Sequence, residues 1–263
     1  MTVALGLVCS DGVLVASDSM GSSEQTAEHS QKVRTFGRCP ALWTASGSVY
    51  VMEEVEAELK VLDASGTPEA PLRIFGDPQP AAIRKKLAPM VNKVMRAAYA
   101  TALNVQPADP GGAVLIAFPT DFLMLGYAAG TPWFLEIARD GQVNDHTDGG
   151  FYAVGSGGHF ATVARALMRH YLTARLPLDL GKLVAYRAID TTIQVSSQGI
   201  GPPVQIAVCD NSGARVLNDD EIEAVRLGVQ GWTVQETESL SMSLLEAKAE
   251  ASGDLPEMLS EAP

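Results

Sequence analysis

Short apolar runs of period two and longer stretches of period 3.6 succeed one another along the chain in blocks. From Thr2 to Cys9 the run TVALGLVC is rich in β-formers, Asp11-Gly12 supplies a turn, and VLVAS returns. This predicts a hairpin of residues 2–9 and 13–17, buried on both strands. After a polar stretch from Gly21 to Ser30, QKVRTF and PALWTASG are two further strand candidates. The period then changes: Val49, Met52, Val55, Leu59 and Leu62 share one face of a first helix. A Gly/Pro-rich passage leads to a second, about residues 81–104, with Ile83, Leu87, Val91, Val94 and Ala98 at helical spacing and Pro89 expected to kink it or mark its start. AVLIAF, DFLMLGYAA and WFLEIAR read as antiparallel strands, and Asp140-Gly141 turns into another. Helices near 158–174 (Phe160, Val163, Ala164, Leu167, Tyr171) and 179–196 follow, then strands VQIAVC and ARVL.

The order is strands, two helices, strands, two helices, strands. It predicts an α+β architecture in which two antiparallel sheets stack and a helix pair covers each outer face. Strands do not alternate singly with helices, which disfavours dinucleotide-binding and barrel folds. Gly155-Ser156-Gly157-Gly158 precedes a helix but lacks the phosphate-loop lysine and the dinucleotide glycine spacing.

Composition narrows the function classes. The chain has 263 residues, 46% hydrophobic and 19% charged, which is globular. No apolar run approaches the roughly 20 residues of a membrane helix, and the start lacks a basic lead, so a cytoplasmic protein without membrane partner is expected. Cys9, Cys39 and Cys209 are too scattered for a disulfide framework, and neither they nor the four histidines show zinc spacing. They are read as small core residues, with no metal and no cofactor. The net charge of −12 is uneven: residues 1–218 hold 20 acids and 17 bases, net −3, whereas residues 219–263 hold 11 acids and 2 bases, net −9. Without a basic stripe, nucleic acid is not an expected partner.

The candidate chemistry lies at the N-terminus. Removal of Met1 makes Thr2 the first residue, joining a hydroxyl to a free α-amine of pKa roughly 8 that serves as its general base. If Ser10–Gly12 form a three-residue loop, Cys9 pairs with Val13 and Asp18 lies opposite Ala4, on the face of Thr2; a two-residue loop moves Asp18 to the other face. Lys32 is the third candidate, a cation that favours the alkoxide and lowers the amine's pKa while Asp18 holds it charged. Taken singly, Asp18 also reads as a strand-end acid capping a turn and Lys32 as a solvated edge-strand lysine.

Together, Thr2, Asp11-Gly12-Val13, Ala16-Ser17-Asp18-Ser19, Lys32-Val33, Ala45-Ser46-Gly47-Ser48 and Val154-Gly155-Ser156-Gly157 resemble a proteasome β-type subunit, and equally its bacterial relatives of HslV and Anbu type. The resemblance spans residues 2–217 in order. It implies a four-layer αββα N-terminal nucleophile (Ntn) hydrolase, with Thr2 as nucleophile, Asp18 and Lys32 as the charge pair, and Ser156 bonded to the nucleophile's amine. It further implies an oxyanion hole at Ser46 and Gly47 and a substrate pocket lined by Thr44 and Ser48. The loop between Asp18 and Lys32 is two residues shorter than the family's, the family's second site aspartate aligns with Ser197, with Asp190 further upstream, and Gly201-Pro202-Pro203 replaces its Gly-Gly.

The implied activity is a threonine-type endopeptidase acting on peptides or unfolded protein inside a homo-oligomeric ring, barrel or spiral, fed by an ATPase unfoldase. With Thr2 next to Met1, methionine aminopeptidase suffices for activation. The alternatives are a silent structural subunit of such a particle and a small-amide amidohydrolase on the same fold. Residues 1–217 are expected to form the hydrolase domain. Residues 218–263 form an acidic extension, helical or partly disordered, with a helix starting at Asp219 and another amphipathic segment at 234–249, which is either solvated or a contact element.

Overall fold

The computed structural model describes residues 2–22, 27–36, 39–64, 80–105, 120–128, 130–168, 175–196 and 199–252. The strands are β1 (Ala4–Val8), β2 (Val13–Asp18), β3 (Met20–Ser22), β4 (Ala27–His29), β5 (Val33–Phe36), β6 (Cys39–Ser46), β7 (Asp121–Ala128), β8 (Thr131–Ile137), β9 (Val143–Asp145), β10 (Phe151–Val154), β11 (Val204–Asp210) and β12 (Gly213–Val216). The helices are α1 (Val49–Ala64), α2 (Pro80–Val105), α3 (Gly158–Met168), α4 (Leu178–Val195) and α5 (Asp219–Ser252). The AVLIAF strand expected at 113–118 lies outside the described residues, as do Tyr171 and Ser197.

Among the described residues two antiparallel five-stranded sheets form, one ordered β10-β1-β2-β11-β12 and the other β5-β6-β7-β8-β9; β3 and β4 form a separate ribbon. Alternation along the strands sorts the side chains into three apolar layers. Ala4, Val8, Val13, Val15 and Ala207 of the first sheet meet Val33, Leu42, Leu123, Leu125 and Phe134 of the second between the sheets. The opposite face of the first sheet (Leu5, Leu7, Leu14, Ile206) packs on α3 and α4, and that of the second (Trp43, Phe122, Met124, Leu135) packs on α1 and α2. This is the four-layer αββα arrangement expected. Gly6 faces the Phe134 ring so closely that a Cβ there would collide with it, so glycine lets the sheets approach.

Several expectations need correction. The first hairpin has a two-residue loop, Ser10-Asp11: Val8 pairs with Val13, and the Cys9 N–H reaches the Gly12 carbonyl at 2.8 Å. The loop is tied down from outside the hairpin, because Asp11 Oδ1 accepts the Leu178 N–H at 2.7 Å and the Ser10 N–H donates to the Leu176 carbonyl at 2.9 Å. In α1 the buried line is Val51, Val55 and Leu59, and Val49, in the first turn, is exposed. In α3 the buried line is Gly158, Ala161, Ala164 and Met168, while Phe160, Val163 and Leu167 point outward. Small residues bring that helix against the sheet and α4, which leaves its larger apolar side chains on the far side. Helix α2 continues through Pro89.

Residues 219–252 form one continuous helix rather than two segments. It opens with a reciprocal cap: Asn218 Oδ1 accepts the Glu221 N–H at 2.9 Å and Glu221 Oε2 accepts the Asn218 N–H at 3.0 Å. Ile222, Val225, Val229 and Trp232 pack on the core. Arg187 of α4 holds Glu236 through two bonds of 2.9 and 2.6 Å and lies 4.3 Å from the Trp232 ring centre. No helix among the described residues is long and apolar enough to cross a membrane.

All three cysteines are buried. Burial, the largest cause in each case, pushes the Cys9 and Cys209 thiols up to about 12. Iodoacetamide at pH 8 is expected to leave both unmodified in the native protein and to alkylate them in denaturant, as read by intact mass; native modification at either would show that the core opens.

Candidate active site

Thr2 stands two residues before β1, at the end of the first sheet. Its carbonyl accepts the Gly157 N–H at 3.2 Å, which joins the start of the chain to the turn between β10 and α3. Gly155 in that turn has φ +90°, and a Cβ on it would overlap the Thr2 carbonyl and crowd Ser46 Oγ. Only glycine fits here, for both conformation and space. Ser156 follows, and its Oγ receives the Thr2 N–H at 3.3 Å.

Asp18, the last residue of β2, is fully buried and acts as a hub. Its Oδ1 accepts the Val3 N–H at 3.0 Å and Lys32 Nζ at 2.9 Å; its Oδ2 accepts the N–H groups of Met20 at 3.1 Å and Gly201 at 3.3 Å. Asp18 lies opposite Val3 instead of Ala4, so it does not share the face of Thr2. It meets Thr2 through the Val3 amide and through Lys32. Ser17 Oγ donates to the Val3 carbonyl at 2.8 Å and holds the same residue from its other end.

Lys32 closes the arrangement, with Nζ 3.2 Å from Thr2 Oγ1 and 2.9 Å from Asp18 Oδ1. Burial lowers its pKa below the ordinary lysine value, and the charge and hydrogen bond of Asp18 act in the opposite direction. A cation loosely holding its proton is thus set against the threonine hydroxyl.

Ser46 ends β6 half-buried, with its Oγ beside Gly155. Gly47 follows with φ +139°, and the Ser48 N–H is taken by Thr120 Oγ1 at 3.1 Å. Thr44 pairs with Val33 and Leu123 in the second sheet; its side chain is fully buried and its hydroxyl has no hydrogen-bond partner among the described residues. Asp190 bonds Gln194 within α4. The motifs include Ser17 and Gly201 without giving either a role, and no motif points to Gln205. A faint signal existed for Gln205, the polar residue within the apolar run of VQIAVC.

No family model matches the chain, and neither does any curated protein. Solved structures do. Over 91% of this chain and 96% of the other, it superposes on Anbu (ancestral beta-subunit) from Yersinia bercovieri with a TM-score of 0.66 and 15% identity. The fold is that of Anbu. A second such structure, the Anbu (Gly-1) mutant from Hyphomicrobium sp. strain MC1, matches over 92% of this chain and 99% of the other, with a TM-score of 0.63 and 16% identity. The Anbu match agrees with the proteasome β-type resemblance carried by the motifs around Thr2, Asp18, Lys32 and Ser156.

Proposed function

We propose that the protein is a threonine-type endopeptidase whose nucleophile is Thr2 once Met1 has been removed. The observation that carries this reading is the position of Lys32 Nζ, shared between Thr2 Oγ1 and the buried Asp18 carboxylate. Thr2 Oγ1 attacks the carbonyl carbon of a peptide bond, and its proton passes to the α-amine of the same residue, oriented by Ser156. Lys32 stabilises the developing alkoxide, and the Gly47 N–H stabilises the tetrahedral oxyanion. Collapse breaks the C–N bond, and the amine's proton goes to the leaving peptide nitrogen. Water then hydrolyses the threonyl ester, releasing the acid and restoring the hydroxyl.

Substrate in this reading is an extended peptide or unfolded protein. The subunit works within an assembly of like subunits, supplied by an ATPase. Support for assembly comes from the apolar side chains left outside: Phe160, Val163 and Leu167 on α3, and Leu240, Met242, Leu244 and Leu245 on the far part of α5.

The test is the denaturing intact mass of the purified protein with and without a peptide epoxyketone, whose ring-forming reaction requires both the hydroxyl and the free α-amine. Loss of Met1 and one adduct on Thr2, absent in Thr2→Ala, is the expected result. Retained Met1, or a trimmed chain that takes no adduct, overturns the proposal and leaves the silent-subunit alternative.

A further inference from the structure

Lys32 precedes β5, the edge strand of the second sheet, so the residues just before Val33 lie outside the ladder. Their backbone is held from the other sheet instead. Gln205, on β11 opposite Ser17, presents its carboxamide there: Oε1 accepts the Lys32 N–H at 2.8 Å and lies 3.5 Å from the Val33 nitrogen, while Nε2 donates to the Ser30 carbonyl at 2.8 Å. Gln205 has the strand parity of Ala207 and Cys209, which belong to the layer between the sheets. The carboxamide therefore spans the gap between sheets and grips the segment on both sides of Gln31.

A lysine ammonium sits at the end of four rotatable carbons, and its aim depends on where the backbone carrying it is anchored. Asp18 holds the tip of this side chain and Gln205 holds its root. A carboxamide suits the task, because the extended segment offers a donor at Lys32 and an acceptor at Ser30, and one Gln side chain answers both. We infer that Gln205 is a positioning residue for the reaction at Thr2: it keeps Lys32 Nζ within reach of Oγ1 by clamping the backbone of residues 30–33. This inference rests on the threonine-nucleophile reading above. It assigns no contact between Gln205 and substrate.

The prediction is a split between binding and chemistry. In time courses of epoxyketone adduct formation on the assembled, Met1-trimmed protein, Gln205→Met should lower the maximal inactivation rate about tenfold or more, since displacements on the order of 1 Å cost up to about a hundredfold. Half-saturating inhibitor concentration should stay within about twofold. Gln205→Glu keeps the acceptor for Lys32 but cannot donate to Ser30, and should fall between the parent and Gln205→Met. Should Gln205→Met not fold, Gln205→Glu decides alone: a lowered maximal rate at unchanged half-saturation supports the inference, and parent behaviour overturns it. A Gln205→Met protein that reacts at the parental rate, or one whose loss lies wholly in half-saturation, likewise overturns it. A parent that takes no adduct removes the threonine-nucleophile reading and this inference with it, an outcome distinct from a labelled parent with an unaffected variant.

Discussion

Asp18→Ala is expected to lose about 3–5 kcal/mol of folding stability, because the ammonium and three backbone N–H groups lose their buried acceptor together. The carboxylate is fully buried and accepts from Val3, Met20, Gly201 and Lys32, so its removal strands three backbone N–H groups and one ammonium at once. In a chain of this size the loss corresponds to a fall in Tm of roughly 5–10 °C. Urea unfolding and calorimetry of the variant would check it. A variant within about 1 kcal/mol of the parent would show that water replaces the carboxylate without cost and that Asp18 is not the hub described.

Lys32→Met should invert that pattern, with a small change in stability and a large change in chemistry. After the ammonium is removed, Asp18 still has three N–H donors, so the expected destabilisation is within about 2 kcal/mol. Reaction at Thr2, however, loses the cation beside Oγ1, and the rate of adduct formation should drop on the order of a thousandfold. The pH profile reports the cause. In the parent, the rate should rise as the Thr2 amine loses its proton and becomes a base. It should fall again when Lys32 loses its own, at a pH below the ordinary lysine value of 10.5 because burial disfavours the cation. A neighbouring cation also disfavours protonation of the amine. In Lys32→Met the acid limb should accordingly move to higher pH and the alkaline limb should disappear. An unchanged alkaline limb would assign it to another group and remove Lys32 from the chemistry.

The structure brings these two residues together with Thr2 and Ser156. Thr2, Asp18, Lys32 and Ser156 are distant in the chain, yet each sits at a strand or helix boundary that hydrophobic periodicity locates, and together they carry the family resemblance. The register between β1 and β2 is that of the two-residue loop, one of the two alternatives the sequence leaves open. A hairpin sequence containing Ser10-Asp11-Gly12 permits two loop lengths; the bonds from Ser10 and Asp11 to residues 176 and 178 belong to the two-residue form. The buried face of α3 differs from the one its sequence predicts for a related reason. Phe160, Val163 and Leu167 are the more apolar set, but Ala161 and Ala164 allow the closer approach to sheet and helix.

Gln205 illustrates the remaining limit. Its partners are some 170 residues away, in the segment that leads into the other sheet, and nothing beside it in the chain refers to them. The sequence by itself determined the succession of strands and helices, the αββα layering and the residue types of the site, because these follow from local period, turn chemistry and motif. Tertiary structure alone decided the hairpin register, the buried face of each helix, and the three amides and one carboxamide that hold Asp18 and Lys32 in place. Those depend on which surfaces meet, and backbone groups, identical at nearly every residue, acquire a role only when folding brings them to a particular side chain.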